Sequence, residues 1–299
     1  MTGLRQFEER TKELAPPLIR EAGKRALHAF GMLTAPLRPV PEYMIIGTKR
    51  GGTTSIFNYL LPHPDVVPLC PVMESRKGAH YFDTNYHRGS AWYRSHFPTV
   101  LSRSVRARGD RRILAGEASP YYLFHPHAAR RARRQVPNAK LIVLLRNPVD
   151  RAYSHFKERR RNGVETLTFE EALEREPERL AGELARMEQD PTYVSFAHEH
   201  FSYLSQGIYL PQLRAWLDHF PEDQFLILRS EDMFDDPPAT FVAVLRFLDL
   251  PPIDLAHFHR FNYHTSEDMD PLTRERLTAT IEPHNRSLEE FLGRDVKWD

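Results

Sequence analysis

The sequence predicts an α/β fold with three layers, in which a mostly parallel central sheet is flanked by helices. The run at 140–145 is the most strongly apolar stretch of the 299-residue chain. Continuous apolar character without alternation is typical of a strand buried on both faces of a parallel sheet. Predicted strands and helices alternate without an internal repeat, which favours a doubly wound sheet.

The elements are predicted from local signals along the chain. Thr168-Phe-Glu-Glu171 is a capping-box pattern and predicts the start of a helix. Pro126 and Asp236 also mark helix starts, because proline suits the first turn and aspartate caps it. The segment 71–98 is expected to be irregular, and Pro283 to punctuate the last helical segment. Strands are predicted from 43 to the glycine-rich turn and at 65–69, 112–115, 140–145 and 225–228. Helices are predicted at 56–61, 126–136, 149–161, from 168, 174–190, 211–220 and 236–248, and one or two helices at 272–292.

The chain is expected to comprise an appendage and one domain. Residues 1–42 are predicted to be an N-terminal helical appendage with a proline-rich linker, and residues 43–299 a single domain. Within this domain, inserted loops and helices are expected at about 71–111 and 162–205. The appendage helix packs on its own domain or makes peripheral contact with a membrane or partner.

Composition argues against several classes of protein. The chain has 41 basic and 40 acidic residues, so its net charge gives no support for nucleic-acid binding. Cys70 is the only cysteine, which excludes an internal disulfide and fits a cytoplasmic location. No apolar run is long enough for a transmembrane segment, and no histidine or cysteine spacing is typical of a metal site. We therefore expect neither a membrane span nor a metal.

A glycine-rich, basic turn connects the first predicted strand to a helix. Free backbone N–H groups and the positive end of a helix converge in such a turn and bind phosphate. Gly47 and Gly52 have the separation found in the loop of ATP- and GTP-binding enzymes. Thr53, however, stands where that loop carries the lysine that reaches the β- and γ-phosphates. The turn therefore predicts a P-loop-like fold and argues against nucleoside-triphosphate chemistry.

A second anion site is predicted where the apolar strand at 140–145 ends. Triphosphate-using enzymes carry a magnesium-binding aspartate at such a strand end, whereas this chain has Arg146. Arginine repels a metal ion but binds phosphate well. Ser154 follows on the next predicted helix. One phosphate is expected at Lys49, Arg50 and the amides from Gly51 to Ser55, and another at Arg146 with Ser154.

These two segments resemble sulfotransferases that use 3′-phosphoadenosine 5′-phosphosulfate (PAPS). The segment 47–54 resembles their 5′-phosphosulfate loop, and the segment 144–154 resembles their 3′-phosphate motif, including its arginine-to-serine spacing. The resemblance is strongest with heparan-sulfate-type and related bacterial sulfotransferases, and runs over roughly 43–292. It implies metal-free transfer of a sulfuryl group from PAPS, which becomes PAP, to a hydroxyl or amine. A carbohydrate, glycolipid or small metabolite is the expected acceptor.

The resemblance also implies roles for single residues. Arg50 takes the place of the loop lysine that contacts the bridging and transferring groups, and so counts as catalytic as well as cofactor-binding. Tyr209 and the backbone around 263–266 are expected to touch the nucleotide. The 5′-phosphosulfate is expected to bind Lys49, Gly51, Gly52, Thr53, Thr54 and Ser55, and the 3′-phosphate to bind Arg146 and Ser154.

The chain departs from the family pattern at two functional positions. Gly78 stands where heparan-type enzymes carry a glutamate base, and Ala118 stands where they carry an active-site lysine. Three candidates for the general base remain. His80 has a suitable intrinsic pKa and lies beside the expected site, Glu74 lies in a longer preceding loop, and Glu117 ends a strand.

Two alternative functions stay open from the sequence. A P-loop kinase or NTPase is disfavoured by Thr53 and Arg146. A catalytically silent nucleotide-binding module of the same fold is suggested by Gly78 and Ala118.

Overall fold

The structure is a computed structural model that describes residues 17–69, 77–107, 111–259, 261 and 268–298. Glu74 and Cys70 lie outside the described residues, as does the backbone around 263–266 that the sequence assigned to nucleotide contact.

A five-stranded sheet forms the centre of the molecule, and all of its neighbouring strands are parallel. Its order is β2-β3-β1-β4-β5, which confirms the predicted fold class. Because β1 is central and the chain winds outward from it in both directions, a ligand crevice is expected beyond the carboxyl ends of β1 and its neighbours. The strands are β1 (Tyr43–Gly47), β2 (Val66–Val67), β3 (Leu114–Ala118), β4 (Lys140–Leu145) and β5 (Phe225–Arg229).

Helices connect and cover these strands. The capping box at Thr168 is confirmed, since its hydroxyl accepts from the Glu171 amide and the Glu171 side chain accepts from the Thr168 amide. Asp236 caps its helix as predicted, by accepting from the amide of Ala239 at 3.0 Å. The helices are α1 (Pro17–Leu33), α2 (Thr53–Leu60), α3 (Gly89–Ser95), α4 (Val100–Arg106), α5 (Ala128–Gln135), α6 (Pro148–Arg161), α7 (Phe169–Leu180), α8 (Glu183–Gln189), α9 (Phe196–His200), α10 (Tyr209–Leu217), α11 (Ser230–Asp235), α12 (Pro237–Phe247) and α13 (Pro271–Leu292).

Two local predictions were wrong, and the structure decides between one and two helices at 272–292. The segment 71–98 contains α3, which carries Tyr93 into an aromatic cluster where its ring stacks on Tyr81 at 4.6 Å. The helix predicted at 174–190 is divided between α7 and α8, because Gly182 adopts a left-handed conformation with φ of 76°. The last helix is continuous through Pro283.

Both faces of the sheet are buried, as the three-layer fold requires. On β1, Met44 and Ile46 belong to one apolar cluster, whereas Tyr43 and Ile45 belong to the cluster on the opposite face. The first cluster includes the aromatic rings of 81–97, and the second includes residues of α2 and α12. The loop that follows β1 is therefore anchored by a strand that is packed from both sides.

Helix α1 lies against α3. The rings of His28 and His96 are 5.8 Å apart, and the guanidinium of Arg38 donates to the carbonyl of Phe97 at 2.5 Å. Packing on its own domain is one of the two roles that the sequence left open for this helix. Within the described parts of the chain, no helix has both the length and the apolar character needed to cross a bilayer.

Gly116 allows the close pairing of β1 with β3 and gives a direct test of the core. Its register partner is Tyr43, and a Cβ at position 116 would lie 2.3 Å from the Tyr43 ring. We predict that Gly116→Ala lowers the free energy of unfolding by about 1–3 kcal/mol, because the fully buried ring has no room to move. Chemical denaturation measures the change.

The matched control is Gly23→Ala in α1, where a Cβ would meet nothing within 4 Å. There the same substitution should leave stability unchanged or raise it by up to about 1 kcal/mol, because alanine is the better helix former. Equal effects at the two positions would contradict the proposed packing.

Candidate functional site

The loop after β1 forms a cradle against the end of β4. Gly52 adopts a left-handed conformation with φ of 90° and directly precedes α2. A Cβ on Gly51 would lie 2.7 Å from the carbonyl oxygen of Leu144, so only glycine permits this approach. The hydroxyl of Ser230 donates to the carbonyl of Gly51 at 2.8 Å and fixes the loop from behind. The result is a concave backbone at a helix N-terminus, which suits a phosphate or sulfate group.

A cavity of about 1230 Å³ opens in front of this cradle. Most of the cofactor-binding residues predicted from the sequence line it, together with His80. The predicted residues in its wall are Lys49, Arg50, Gly52, Thr53, Thr54, His80, Arg146 and Ser154.

Arg50 connects the loop to the predicted second anion site. Its Nε donates to the hydroxyl of Ser154 at 2.9 Å, and its Nη1 lies 3.3 Å from Oε1 of Glu158. Arg146 donates to the carbonyl of Arg50 at 3.0 Å. The sequence suggested two separate groups of residues, whereas the structure joins them through Arg50 into one hydrogen-bonded wall.

Lys49 points to the other side of the cavity. Its Nζ is 3.0 Å from Oε1 of Glu199 and 4.8 Å from the ring centre of Tyr121. Burial lowers the pKa of Lys49, and the charge and hydrogen bond of Glu199 only partly offset this effect. The side chains of Lys49 and Arg50 thus point in different directions, and Lys49 pairs with Glu199 whereas Arg50 pairs with Glu158.

His80 forms a dyad with Asp83 at the cavity wall. Its Nδ1 is 2.8 Å from Oδ2 of Asp83, whose carboxylate is buried, while about 35% of the His80 side chain is exposed. Burial of the imidazole lowers its pKa, but the charge and hydrogen bond of Asp83, with a smaller effect of Glu199, outweigh this and raise the pKa above its usual value. When Nδ1 donates to Asp83, Nε2 is the ring nitrogen that can accept a proton.

Glu117, the second described candidate base, is enclosed by donors. Its carboxylate accepts from the Ala79 amide at 2.8 Å, the Tyr93 hydroxyl at 2.7 Å and the Ser119 hydroxyl at 2.8 Å. Burial raises the pKa of Glu117 against the opposing effect of these bonds. The side chain is fully buried and absent from the cavity wall, so the structure does not bring Glu117 together with His80 at the cavity surface.

Three further positions that the sequence analysis singled out lie behind the cavity wall. The hydroxyl of Tyr209 donates to the carbonyl of Arg146 at 2.7 Å, and its ring is buried outside the cavity wall. Ser55 is also buried, and its hydroxyl accepts from the amide of Phe261 at 3.3 Å. A Cβ on Gly78 would lie 2.4 Å from the carbonyl of Ala118, which leaves no space for the glutamate found there in heparan-type enzymes.

Sequence reasoning missed two residues that line the cavity beside the loop. Lys77 donates to the hydroxyls of Thr54 and Thr53 at 2.8 and 3.3 Å, and Glu199 pairs with Lys49. Lys77 was overlooked although it directly precedes Gly78. Glu199 lies between His198 and His200, and no local pattern connects it to Lys49. Among the described residues, no group of three or more potential ligands could hold a metal ion.

A family model matches most of the chain. The model of the sulfotransferase domain matches residues 41–293. The chain belongs to the sulfotransferase family. This confirms the family predicted from the two motifs, and enzymes of this family use PAPS.

Individual sulfotransferases show the extent of the similarity. The chain is 26% identical to the membrane-associated sulfotransferase kil1 of Dictyostelium discoideum over 87% of its length, and 27% identical to the heparan sulfate glucosamine 3-O-sulfotransferase 6 of Mus musculus over 88%. These alignments span 66% and 75% of the two relatives. The sulfotransferase structure from Alicyclobacillus acidocaldarius matches with a TM-score of 0.61 and 30% identity, covering 86% of this chain and 98% of that one.

The His80–Asp83 contact can be tested by its effect on proton affinity. We predict that Asp83→Asn lowers the pKa of His80, because the neutral amide no longer stabilises the imidazolium. NMR titration of the imidazole C–H resonances measures the change, and His80→Ala identifies the resonance. An unchanged titration of His80 in Asp83→Asn would contradict the dyad.

Proposed function

We propose that this chain transfers a sulfuryl group from PAPS to a hydroxyl or amine of an acceptor, and that the acceptor is a carbohydrate, glycolipid or small metabolite. The observation that carries the proposal is the convergence of Lys49, Arg50 and Arg146 on one cavity at a glycine-rich helix N-terminus. Family membership supports the reaction class, and relatives named for a glycan acceptor support a carbohydrate.

The residues fit the cofactor. A Cβ on Gly51 would collide with the Leu144 carbonyl, and Gly52 has a left-handed backbone with φ of 90° that favours glycine, so the cradle depends on glycine at both positions. Arg146 and Ser154 are suited to the 3′-phosphate, and Lys49, Arg50 and the amides at the start of α2 to the 5′-phosphosulfate. When bound, PAPS supplies an activated sulfuryl group on a phosphate leaving group.

The cations of the wall carry most of the proposed catalysis. Negative charge builds on the leaving nucleotide during transfer, and preorganised donors stabilise it without reorganisation of solvent. Arg50 and the N-terminus of α2 face this charge. Glu158 holds the Arg50 guanidinium before the anion binds, and the negative charge of Glu158 partly compensates the positive charge of Arg50.

His80 is the best-supported general base. Asp83 orients the ring and raises its pKa, so that Nε2 can take the proton of an acceptor hydroxyl. A base with a raised pKa is neutral only above that pKa, and the rate should therefore fall as the pH drops through it. Glu117 is proposed to support the His80 segment instead, because Ser119 bonds both the Glu117 carboxylate and the His80 amide.

The cavity also carries several basic side chains from the end of α6. Lys157 and the successive arginines at 159–161 on the last turns of α6 line it, whereas Asp150, Glu158, Glu199 and Asp268 supply its acidic groups. A carbohydrate that carries carboxylate or sulfate groups would be attracted to this end of α6. We therefore rank anionic glycans first among the acceptors to be screened.

Binding of PAP distinguishes this function from a kinase or NTPase. We predict that isothermal titration detects PAP binding and no comparable binding of ATP–Mg²⁺, because Thr53 replaces the triphosphate lysine and Arg146 disfavours a metal. Arg146→Ala should weaken PAP binding by about tenfold or more, since a charge-assisted bond is lost. The exposed Arg134→Ala is the matched control and should bind PAP normally. Tight ATP–Mg²⁺ binding without PAP binding would overturn the proposal.

Transfer of labelled sulfate distinguishes an enzyme from a silent binding module. Screening glycans, glycolipids, phenols and peptides with labelled PAPS should yield an acceptor. With that acceptor, we predict that Arg50→Ala lowers the rate by about 100-fold or more, and His80→Ala by about 10²–10⁴-fold. The exposed His87→Ala should retain the wild-type rate. PAP binding without transfer to any acceptor would favour the silent module.

A further inference from the structure

Lys77 brings a cation to the start of α2 that belongs to neither predicted anion group. Its Nζ donates to the hydroxyl of Thr54 at 2.8 Å and to that of Thr53 at 3.3 Å, and its side chain lines the cavity. Lys49 and Arg50 each meet a carboxylate, but no described carboxylate lies within ion-pair distance of Lys77. Among the described residues, its ammonium group therefore meets hydroxyl groups and no carboxylate, which leaves its charge available to an anion in the cavity.

The backbone of Lys77 is tied to the position where heparan-type enzymes carry their active-site lysine. The amide of Ala118 donates to the carbonyl of Lys77 at 2.7 Å. The neighbouring Gly78 makes this contact feasible, because a Cβ there would lie 2.3 Å from the Ser119 hydroxyl oxygen and 2.4 Å from the Ala118 carbonyl oxygen. Positions 77 and 118 are thus immediate neighbours in space. The side chain of a lysine at either position would be attached to the backbone near the carboxyl end of β3.

We propose that Lys77 binds the sulfuryl group of PAPS during transfer and supplies the positive charge that Ala118 does not. This inference rests on the proposed function. It makes Lys77 a catalytic residue, and it accounts for both departures from the family pattern together: Gly78 admits the segment to the end of β3, and Lys77 then replaces the missing lysine.

The course of the segment favours the sulfuryl group over the nucleotide phosphates. Lys77 contacts the hydroxyls at the loop, and three residues later His80 faces the same cavity as the proposed base. In-line transfer requires the leaving phosphate, the sulfuryl group and the acceptor to lie in sequence. The segment 77–80 therefore runs from the leaving-group side to the acceptor side, and its first residue lies where the transferring group must pass.

Lys77 is also poised to respond to an incoming anion. Its pKa is lowered to about 8, chiefly by burial, with an opposing effect of Glu158 and smaller lowering effects of Arg50 and Lys49. Most Lys77 side chains are therefore protonated at neutral pH, yet their charge is only weakly compensated. An anion that contacts Nζ gains from this poor compensation.

Cofactor affinity in the absence of acceptor tests the assignment without relying on turnover. We predict that Lys77→Ala weakens binding of PAPS by about tenfold or more in isothermal titration, because a charge-assisted bond to the sulfuryl group is lost. Binding of PAP, which lacks that group, should change by less than about threefold. Lys77→Arg should retain most of the affinity for PAPS.

Lys157→Ala is the matched control, because it removes one positive charge from the same cavity at a distance from the start of α2. It should affect PAPS and PAP by similar factors. The double variant Lys77→Ala with Ala118→Lys should recover affinity for PAPS and the transfer rate, since position 118 returns a lysine to the same place. Normal binding of PAP by Lys77→Ala also reports that the variant is folded.

The outcomes separate this inference from the proposed function. Failure of the unmodified protein to bind PAPS would overturn the proposed function. Binding of PAPS by the unmodified protein, with equal losses for PAPS and PAP in Lys77→Ala, would overturn the assignment of Lys77 to the sulfuryl group. Unchanged PAPS affinity in Lys77→Ala would also overturn it.

Discussion

The contact of the Gly51 backbone with the end of β4 is the constraint on which the site depends. A methyl group at position 51 would lie 2.7 Å from the Leu144 carbonyl, so the loop reaches this strand only as bare backbone. The contact sends Lys49 and Arg50 to opposite sides of the cavity and brings the carbonyl of Arg50 to Arg146. The two anion-binding motifs, about a hundred residues apart in the sequence, therefore share one wall because of a single close approach between backbones.

This geometry concentrates positive charge, and neighbouring carboxylates moderate it. Glu158 pairs with Arg50 and also lies 3.1 Å from Arg159, while Glu199 pairs with Lys49. Burial opposes ionisation of Glu158, but the surrounding cations outweigh it and lower its pKa. The carboxylates keep the cations oriented before an anion binds, and an anion must compete with them. The wall is thus preorganised at the cost of some affinity.

The strongest local patterns in the sequence predicted the centre of the molecule well. The range predicted for β4 agrees with the structure, and β1 starts at Tyr43 as predicted, because a continuously apolar run between turns has few alternatives in a parallel sheet. The glycine-rich loop between β1 and α2 was also predicted, because its spacing of glycines is a strong local pattern. Helix α3 was missed because its stability comes from aromatic packing by residues such as Tyr93, and local periodicity does not report such contacts.

Side-chain roles were harder to predict, because they depend on which groups meet in space. Glu117 has the same local signal as a cleft carboxylate, yet donors from 79, 93 and 119 enclose it in the interior. Glu199 reaches Lys49 from a helix 150 residues away, and no spacing rule connects the two.

Gly78 and Ala118 show how such spatial coupling alters the interpretation of a sequence. Taken singly, each is the loss of a functional side chain and suggests a silent module. In the structure the amide of Ala118 donates to the carbonyl of Lys77, and a Cβ on the adjacent Gly78 would lie 2.4 Å from the Ala118 carbonyl oxygen. The absence of a side chain at 78 and the approach of Lys77 are then two parts of one rearrangement. A cationic side chain is kept in the site, but position 77 carries it instead of position 118. His80, three residues further along the same segment and paired with Asp83, is the proposed base, so the site keeps both a cation and a candidate base. Departure from a family motif therefore argues against catalysis only when the neighbouring backbone brings no equivalent group to the same place.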